Sequence, residues 1–161
     1  MKAKQRELSE YAQAHFKTIL GEWFEENKDI VNGVRWTQYV PGFNDGEPCE
    51  FTLGEIIVEF KGIDNEEDYE PVTVFSQEDL NYYRGLPNGP NSGWVQNRLK
   101  EIERFLEEHG LEKANRMKNA ETNVVSLINN IPENILQSTF GTDVEIKFNG
   151  SFQTEEYDCG Y

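Results

Sequence analysis

Residues 33–60, GVRWTQYVPGFNDGEPCEFTLGEIIVEF, hold two stretches in which apolar and polar side chains alternate. In the first, Trp36 and Gln38 fall on one side of an extended chain, and Arg35 and Thr37 fall on the other. A period of two residues is typical of a β-strand with one buried face. The stretch therefore predicts the first strand of a hairpin.

The second stretch, residues 49–60, repeats this alternation, and Gly54 within it suggests a β-bulge. The connection between the strands is too long for a two-residue turn. Pro41 and Pro48 bracket it, and neither has a backbone N–H for strand pairing. Asn44-Asp45-Gly46 predicts a turn at its tip, because Asn and Asp bond their own backbone and Gly accepts positive φ. The sequence thus predicts a hairpin with a restricted loop.

Outside this hairpin, apolar residues recur at helical spacing in two regions. Residues 5–27 predict one helix, and residues 93–140 predict further helices, the last of which begins after Pro132 and ends at Gly141. Residues 143–158 alternate again around Asn149-Gly150, which predicts a second hairpin with a two-residue type I′ turn.

Residues 61–92 follow neither the two-residue period of a strand nor the spacing of a helix. The first part, residues 61–80, holds one lysine and seven acidic residues, a local charge of −6. Residues 71–75 suggest a short edge strand. Residues 81–94 are rich in Gly, Pro and Asn, so they predict a long loop.

Strands and helices are therefore segregated rather than strictly alternating, which favours an α+β fold with an antiparallel sheet. The length of 161 residues predicts a single domain over residues 1–161. We expect the sheet to be built from the N-terminal and C-terminal hairpins. Helices, drawn from residues 5–27 and 93–130, are expected to cover one of its faces.

The charge narrows the classes of partner. Fifteen Lys and Arg stand against 30 Asp and Glu, a net charge of −15. Such a charge disfavours direct binding to nucleic acid or anionic membrane and favours basic partners. No apolar stretch approaches the roughly 18 residues of a membrane span, and the first residues show no signal-peptide pattern. Two cysteines are too few for a disulfide framework, so we expect an intracellular protein.

Motifs that carry chemistry are missing. Residues 85–93, GLPNGPNSG, contain glycines, but no strand precedes them and their prolines lack the N–H groups that hold phosphate. His15 and His109 lie in different predicted helices, and neighbouring carboxylates on one element point apart. The sequence predicts no catalytic residue, no cofactor and no metal ligand.

The loop at residues 41–48 instead favours recognition or a plain structured turn. Asn44, Asp45 and Glu47 offer oxygen atoms, but they are too few to surround a hard cation such as Ca²⁺. Tyr39 and Phe43 beside this polar turn are the kind of aromatic anchor that interfaces use. Whether Cys49 and Cys159 are neighbours stays open.

A second binding hypothesis places a pocket between the 36–49 hairpin and the 81–94 loop. Aromatic side chains there would stack a nucleotide base, and Arg84 would meet a phosphate. Together, the candidate binding residues of both hypotheses are Trp36, Tyr39, Phe43, Asn44, Asp45, Glu47, Tyr82, Tyr83 and Arg84.

The run Trp36-Thr37-Gln38-Tyr39, then Pro41, then Phe43 to Cys49, resembles a motif in small acidic proteins of tailed bacteriophages and prophages. Phe140-Gly141 and the strands of residues 144–157 are similar to the end of those proteins. The resemblance covers about a third of the chain. It implies a phage origin and action in the host bacterial cytoplasm, and it implies no reaction.

Three functions remain open. The first is a phage accessory protein that binds a host or phage protein, in its sharper form an acidic inhibitor that occupies the basic groove of a host defence or nucleic-acid-binding protein. The second is a small nucleotide-binding protein or enzyme. The third is a virion or assembly component, for which we expect a homo-oligomer with a symmetric apolar interface.

Overall fold

The computed structural model describes residues 2–40, 50–63, 73–87 and 92–158, with side chains from residue 14 onward in the first segment. The elements are, in chain order, helix α1 (Lys2–Asn27), strands β1 (Val31–Tyr39) and β2 (Thr52–Phe60), helices α2 (Gln77–Arg84), α3 (Gly93–His109), α4 (Leu111–Asn129) and α5 (Glu133–Phe140), and strands β3 (Val144–Phe148) and β4 (Phe152–Glu156). None of these helices is long and apolar enough to cross a bilayer, as far as the described residues go.

The chain divides into two compact units. Unit 1 comprises residues 1–72 and 124–161, and unit 2 comprises residues 73–123. Unit 1 holds the whole sheet with α1 and α5, whereas unit 2 holds α2, α3 and most of α4. The single-domain prediction stays a prediction, because compact units of this kind do not show whether either folds alone.

The sheet of unit 1 has four antiparallel strands in the order β2-β1-β3-β4. β1 is central: Trp36 pairs with Ile56 of β2 on one side and with Ile146 of β3 on the other. Each hairpin therefore supplies two neighbouring strands, and the β1–β3 pairing joins them. This confirms the predicted α+β fold with an antiparallel sheet built from two hairpins.

Helices cover one face of this sheet, as predicted. We call it the helix-covered face. On this face the ring of Phe140 in α5 contacts three other rings. The distances between ring centroids are 6.2 Å to Phe16 of α1, 5.8 Å to Trp36 of β1 and 5.1 Å to Phe152 of β4. Phe24 of α1 meets Phe148 of β3 edge to face. The covering helix α5 was not foreseen, and the packing of residues 93–109 on the sheet stays a prediction.

Two glycines let the strands approach closely. A Cβ atom on Gly33 would overlap the backbone oxygen of Phe148 in β3. A Cβ atom on Gly54 would overlap Oγ1 of Thr37, at the point where the β1–β2 register shifts between Trp36 and Gln38. The bulge that the sequence predicts at Gly54 is confirmed.

The turn between β3 and β4 differs from the prediction. Phe148 pairs with Phe152, so three residues connect the strands, and only Gly150 has a positive φ, at 104°. A type I′ turn needs positive φ at both central residues. A two-residue turn would shift the pairing by one residue and move Phe152 to the opposite face. The ring contacts of Phe152 with Phe148 and Phe140 on the helix-covered face therefore favour the longer turn.

Unit 2 contains a helix where the sequence predicts a loop. Residues 81–84 form the second half of α2, so the loop prediction is wrong for them. The helix begins with a capping interaction in which the Ser76 N–H donates to Oδ2 of Asp79 at 2.7 Å, and its Leu80 is buried. A helix of eight residues depends on such contacts rather than on propensity.

Other local predictions have mixed outcomes. Gly141 ends α5 at φ 89° directly after Phe140, and α5 starts after Pro132, both as predicted. Residues 73–75 form no strand, so that part of the edge strand predicted at residues 71–75 is wrong. The turn at residues 44–46 and both cysteines lie outside the described residues.

We predict that Gly33→Ala lowers the free energy of unfolding by about 1–3 kcal/mol, because its Cβ meets a strand carbonyl that cannot move aside. Gly21→Ala is the matched control: it lies in α1 with no neighbouring atom within 4 Å, and we expect it to stabilise by about 0.5–1 kcal/mol. Urea unfolding of both variants checks this. Equal stabilities would contradict the close approach of β1 and β3.

Candidate protein-interaction surfaces

The WTQY run has a structural role on the helix-covered face. Trp36 is 2% exposed and Gln38 is 0% exposed. Nε2 of Gln38 donates to the carbonyl oxygens of Leu136 at 2.9 Å and Gly141 at 2.7 Å. Oε1 of Gln38 accepts from Nε1 of Trp36 at 3.2 Å. The Gln38 amide thus ties β1 to the end of α5.

This contact links the two regions that carry the phage-protein resemblance. Trp36 and Gln38 belong to the first region, and Gly141 belongs to the second. This link was not predicted, because glutamine side chains are mostly exposed in folded proteins. The position of Gln38 on the apolar side of the β1 alternation was the only available hint.

The opposite side of the sheet, which we call the charged face, carries ion pairs between neighbouring strands. Arg35 of β1 lies 3.4 Å from Oε1 of Glu59 on β2 and 3.9 Å from Oε2 of Glu145 on β3. Lys147 of β3 lies 3.7 Å from the same oxygen of Glu59. These pairs bridge three strands, which favours a role in register rather than in catalysis.

Tyr39 and Tyr157 flank a cleft on the charged face, with ring centroids 5.6 Å apart. The cleft measures about 180 Å³. It is lined by Arg35, Trp36, Thr37, Tyr39, Gly54, Glu55, Ile57, Glu145 and Tyr157. Tyr39 also borders a shallower depression of about 440 Å³ between β2 and the end of α4. Two of the residues predicted from the first hairpin, Trp36 and Tyr39, therefore line the cleft.

Unit 2 presents an aromatic cluster, which we define as Tyr82, Tyr83 and Trp94. Tyr82 and Trp94 are each 63% exposed, and Tyr83 contacts both edge to face, with centroids 5.1 and 6.1 Å away. Arg84 beside the cluster pairs with Glu103 of α3 at 3.4 Å. The sequence analysis identified Tyr82, Tyr83 and Arg84 but missed Trp94, which lies in the first turn of α3.

Phe43, Asn44, Asp45 and Glu47 lie outside the described residues. The predicted pocket between hairpin and loop draws on residues of both units, so it stays a prediction. Trp36 lies in the core of unit 1.

No cluster of three or more His, Cys, Asp or Glu side chains suited to a metal ion occurs in the part of the chain that the structure describes. Burial raises the pKa of Glu121 in α4, with the nearby carboxylate of Asp79 adding to the rise and Lys118 opposing it. Glu121 lies among packed helices, where this perturbation has a structural origin.

The charge is divided unequally between the units. Unit 1 has 22 acidic and 8 basic residues, a net charge of −14, and unit 2 has 8 acidic and 7 basic residues, a net charge of −1. The acidic character of the chain is therefore a property of unit 1. The exposed aromatic cluster belongs to the nearly neutral unit.

Comparison with protein-family models, with curated proteins and with solved structures found no match for this chain.

We predict that Gln38→Leu lowers the free energy of unfolding by at least about 2 kcal/mol, because it removes the side-chain partner of the Trp36 N–H and of the Leu136 and Gly141 carbonyls. Gln153→Leu on the exposed strand β4 is the control, with an expected change within about 0.5 kcal/mol. Urea denaturation curves measure both. A Gln38 variant as stable as the Gln153 variant would show that the amide bonds contribute nothing.

Proposed function

We propose that this chain is a phage accessory protein that acts in the host cytoplasm by binding another protein, and that the partner has a basic surface. The exposed aromatic cluster of unit 2 is the observation that carries protein binding. The concentration of acidic residues in unit 1 supports the basic partner. Phage origin and compartment rest on the resemblance of the Trp36–Cys49 and Phe140–Tyr157 regions.

The aromatic cluster suits an interface better than solvent. Large aromatic side chains contribute strongly to binding energy and are enriched among the residues that dominate interfaces. Tyr82 and Trp94 expose most of their surface although each ring touches Tyr83, so the cluster is ordered before a partner arrives. Ordered side chains lose little conformational entropy on binding.

The charge of unit 1 favours a basic partner by attraction at a distance. Opposite surfaces raise the rate of encounter, and the effect weakens as salt screens it over about 8–10 Å at 0.1–0.15 M. A basic groove that normally holds nucleic acid has the required sign, so inhibition of a host defence or nucleic-acid-binding protein is the specific form of this proposal.

We predict that Tyr82→Ala combined with Trp94→Ala abolishes capture of the partner from infected host lysate, because both side chains anchor the interface. Leu111→Ala is the matched control: Leu111 is an exposed apolar residue of unit 2 outside the cluster, and its removal should leave capture intact. Tagged protein and mass spectrometry identify what is retained. Capture that survives the double substitution would refute the aromatic interface, and retained capsid or tail proteins would instead favour a virion component.

We predict that association with the captured partner slows at least about tenfold between 50 and 300 mM NaCl, since steering between opposite charges is screened. Substituting Glu66, Glu67 and Asp68 of unit 1 by amides should also slow it. The control substitutes Glu107, Glu108 and Glu112 of unit 2 by Gln, with a smaller effect. Surface plasmon resonance measures the association rates. If the rates do not change with salt or with either set of substitutions, the partner does not have a basic surface, although the proposal of protein binding is unaffected.

A further inference from the structure

Strand β4 is an outer strand of the sheet. It pairs with β3 and, across the described part of the chain, with no second strand. Its residues from Gln153 to Glu156 are exposed. Outer strands of this kind present backbone donors and acceptors that a strand of another chain can pair with.

The pairing with β3 determines which backbone groups face outward. The Tyr157 N–H donates to the backbone oxygen of Asp143 at 2.9 Å, so these residues are a hydrogen-bonded pair. Hydrogen-bonded pairs alternate with non-hydrogen-bonded pairs along an antiparallel ladder. With Phe148 opposite Phe152, the backbone groups of Phe152, Thr154 and Glu156 therefore point away from β3. Three successive outward positions form a template for one short added strand.

The side chains along this edge favour an added strand that carries positive charge. Glu155 lies on the charged face and Glu156 on the helix-covered face, so a row of cations on either face of an incoming strand meets one carboxylate. Glu155 also stands directly opposite Glu145 of β3, a like-charge cross-strand pair that is unfavourable by itself. A cationic side chain placed beside Glu155 would relieve that repulsion. A second copy of β4 would increase it.

We propose that the free edge of β4 pairs with an extended segment of a partner protein that carries lysine or arginine at alternating positions. This inference rests on the proposed binding of a basic protein and names where a segment of that protein docks. Backbone hydrogen bonds from residues 152, 154 and 156 supply the pairing, and Glu155 and Glu156 supply the preference for cations. The same carboxylates disfavour pairing between copies of this chain.

The test uses a fluorescein-labelled ten-residue peptide of alternating lysine and threonine, with the full chain in low salt and fluorescence anisotropy as the readout. Thr154→Pro removes one outward N–H that β3 does not use, and proline is tolerated on an outer strand in this position. Thr154→Val keeps the N–H and is the matched control. We expect the Thr154→Val variant to bind the peptide with an affinity within twofold of that of the unsubstituted chain. We expect the Thr154→Pro variant to bind the peptide at least about fivefold more weakly. A peptide of alternating glutamate and threonine should not bind.

Amide hydrogen exchange on the unsubstituted chain gives a second readout that does not depend on the folding of the proline variant. Peptide binding should slow exchange at Thr154 and Glu156 and leave Gln153 and Glu155, already bonded to β3, nearly unchanged. Equal peptide affinities of the two Thr154 variants, or no slowing at Thr154 and Glu156, would overturn the inference.

Failure of this inference and failure of the proposed function give different results. A lysate partner that is lost with the aromatic double variant but retained by Thr154→Pro leaves protein binding in place and overturns pairing at β4. Peptide pairing at β4 together with no partner captured from lysate leaves the edge inference in place and counts against the proposed function.

Discussion

The buried side-chain amide of Gln38 is the contact on which unit 1 depends. Its three hydrogen bonds join a central strand, the indole of Trp36 and the end of α5. An amide in an apolar core is tolerated only when its polar atoms are hydrogen-bonded. Because the acceptors of the Gln38 amide are carbonyl oxygens in and directly after α5, burial of Gln38 fixes the position of that helix. The ring of Phe140, at the end of that helix, in turn contacts α1, β1 and β4. One side chain thereby fixes how a helix lies on the sheet.

Periodicity in the sequence predicts the four strands, the first helix and the fold class, because a buried face imposes a period that is visible residue by residue. It fails for the helix at residues 77–84 and for the turn after β3. The Ser76–Asp79 cap of that helix is a local signal, but the Gly, Pro and Asn content of residues 81–94 points to a loop instead. The three-residue turn depends on Phe152 packing against Phe140, a residue of a different element, which the period of the strands does not reveal.

The candidate surfaces were predictable only as residue types. Tyr82, Tyr83 and Arg84 stand out as an aromatic and basic run, yet the contact of Tyr83 with Trp94 brings together residues on two helices. The opposite case is Trp36, which an aromatic-rich motif suggests for recognition and which packs in the core. Exposure separates these two kinds of aromatic residue, and exposure is set by tertiary packing.

The pairing of β1 with β3 also has a consequence for synthesis on the ribosome. Gln38 and its acceptor Gly141 are 103 residues apart, with all of unit 2 made between them. At about 5–20 residues per second, the ribosome needs roughly 5–20 s to produce that interval. During this time β3 has not been made, so the edge of β1 that β3 finally covers lacks its neighbouring strand. The chain therefore needs protection from wrong strand pairing at that edge until its C-terminal hairpin has been made.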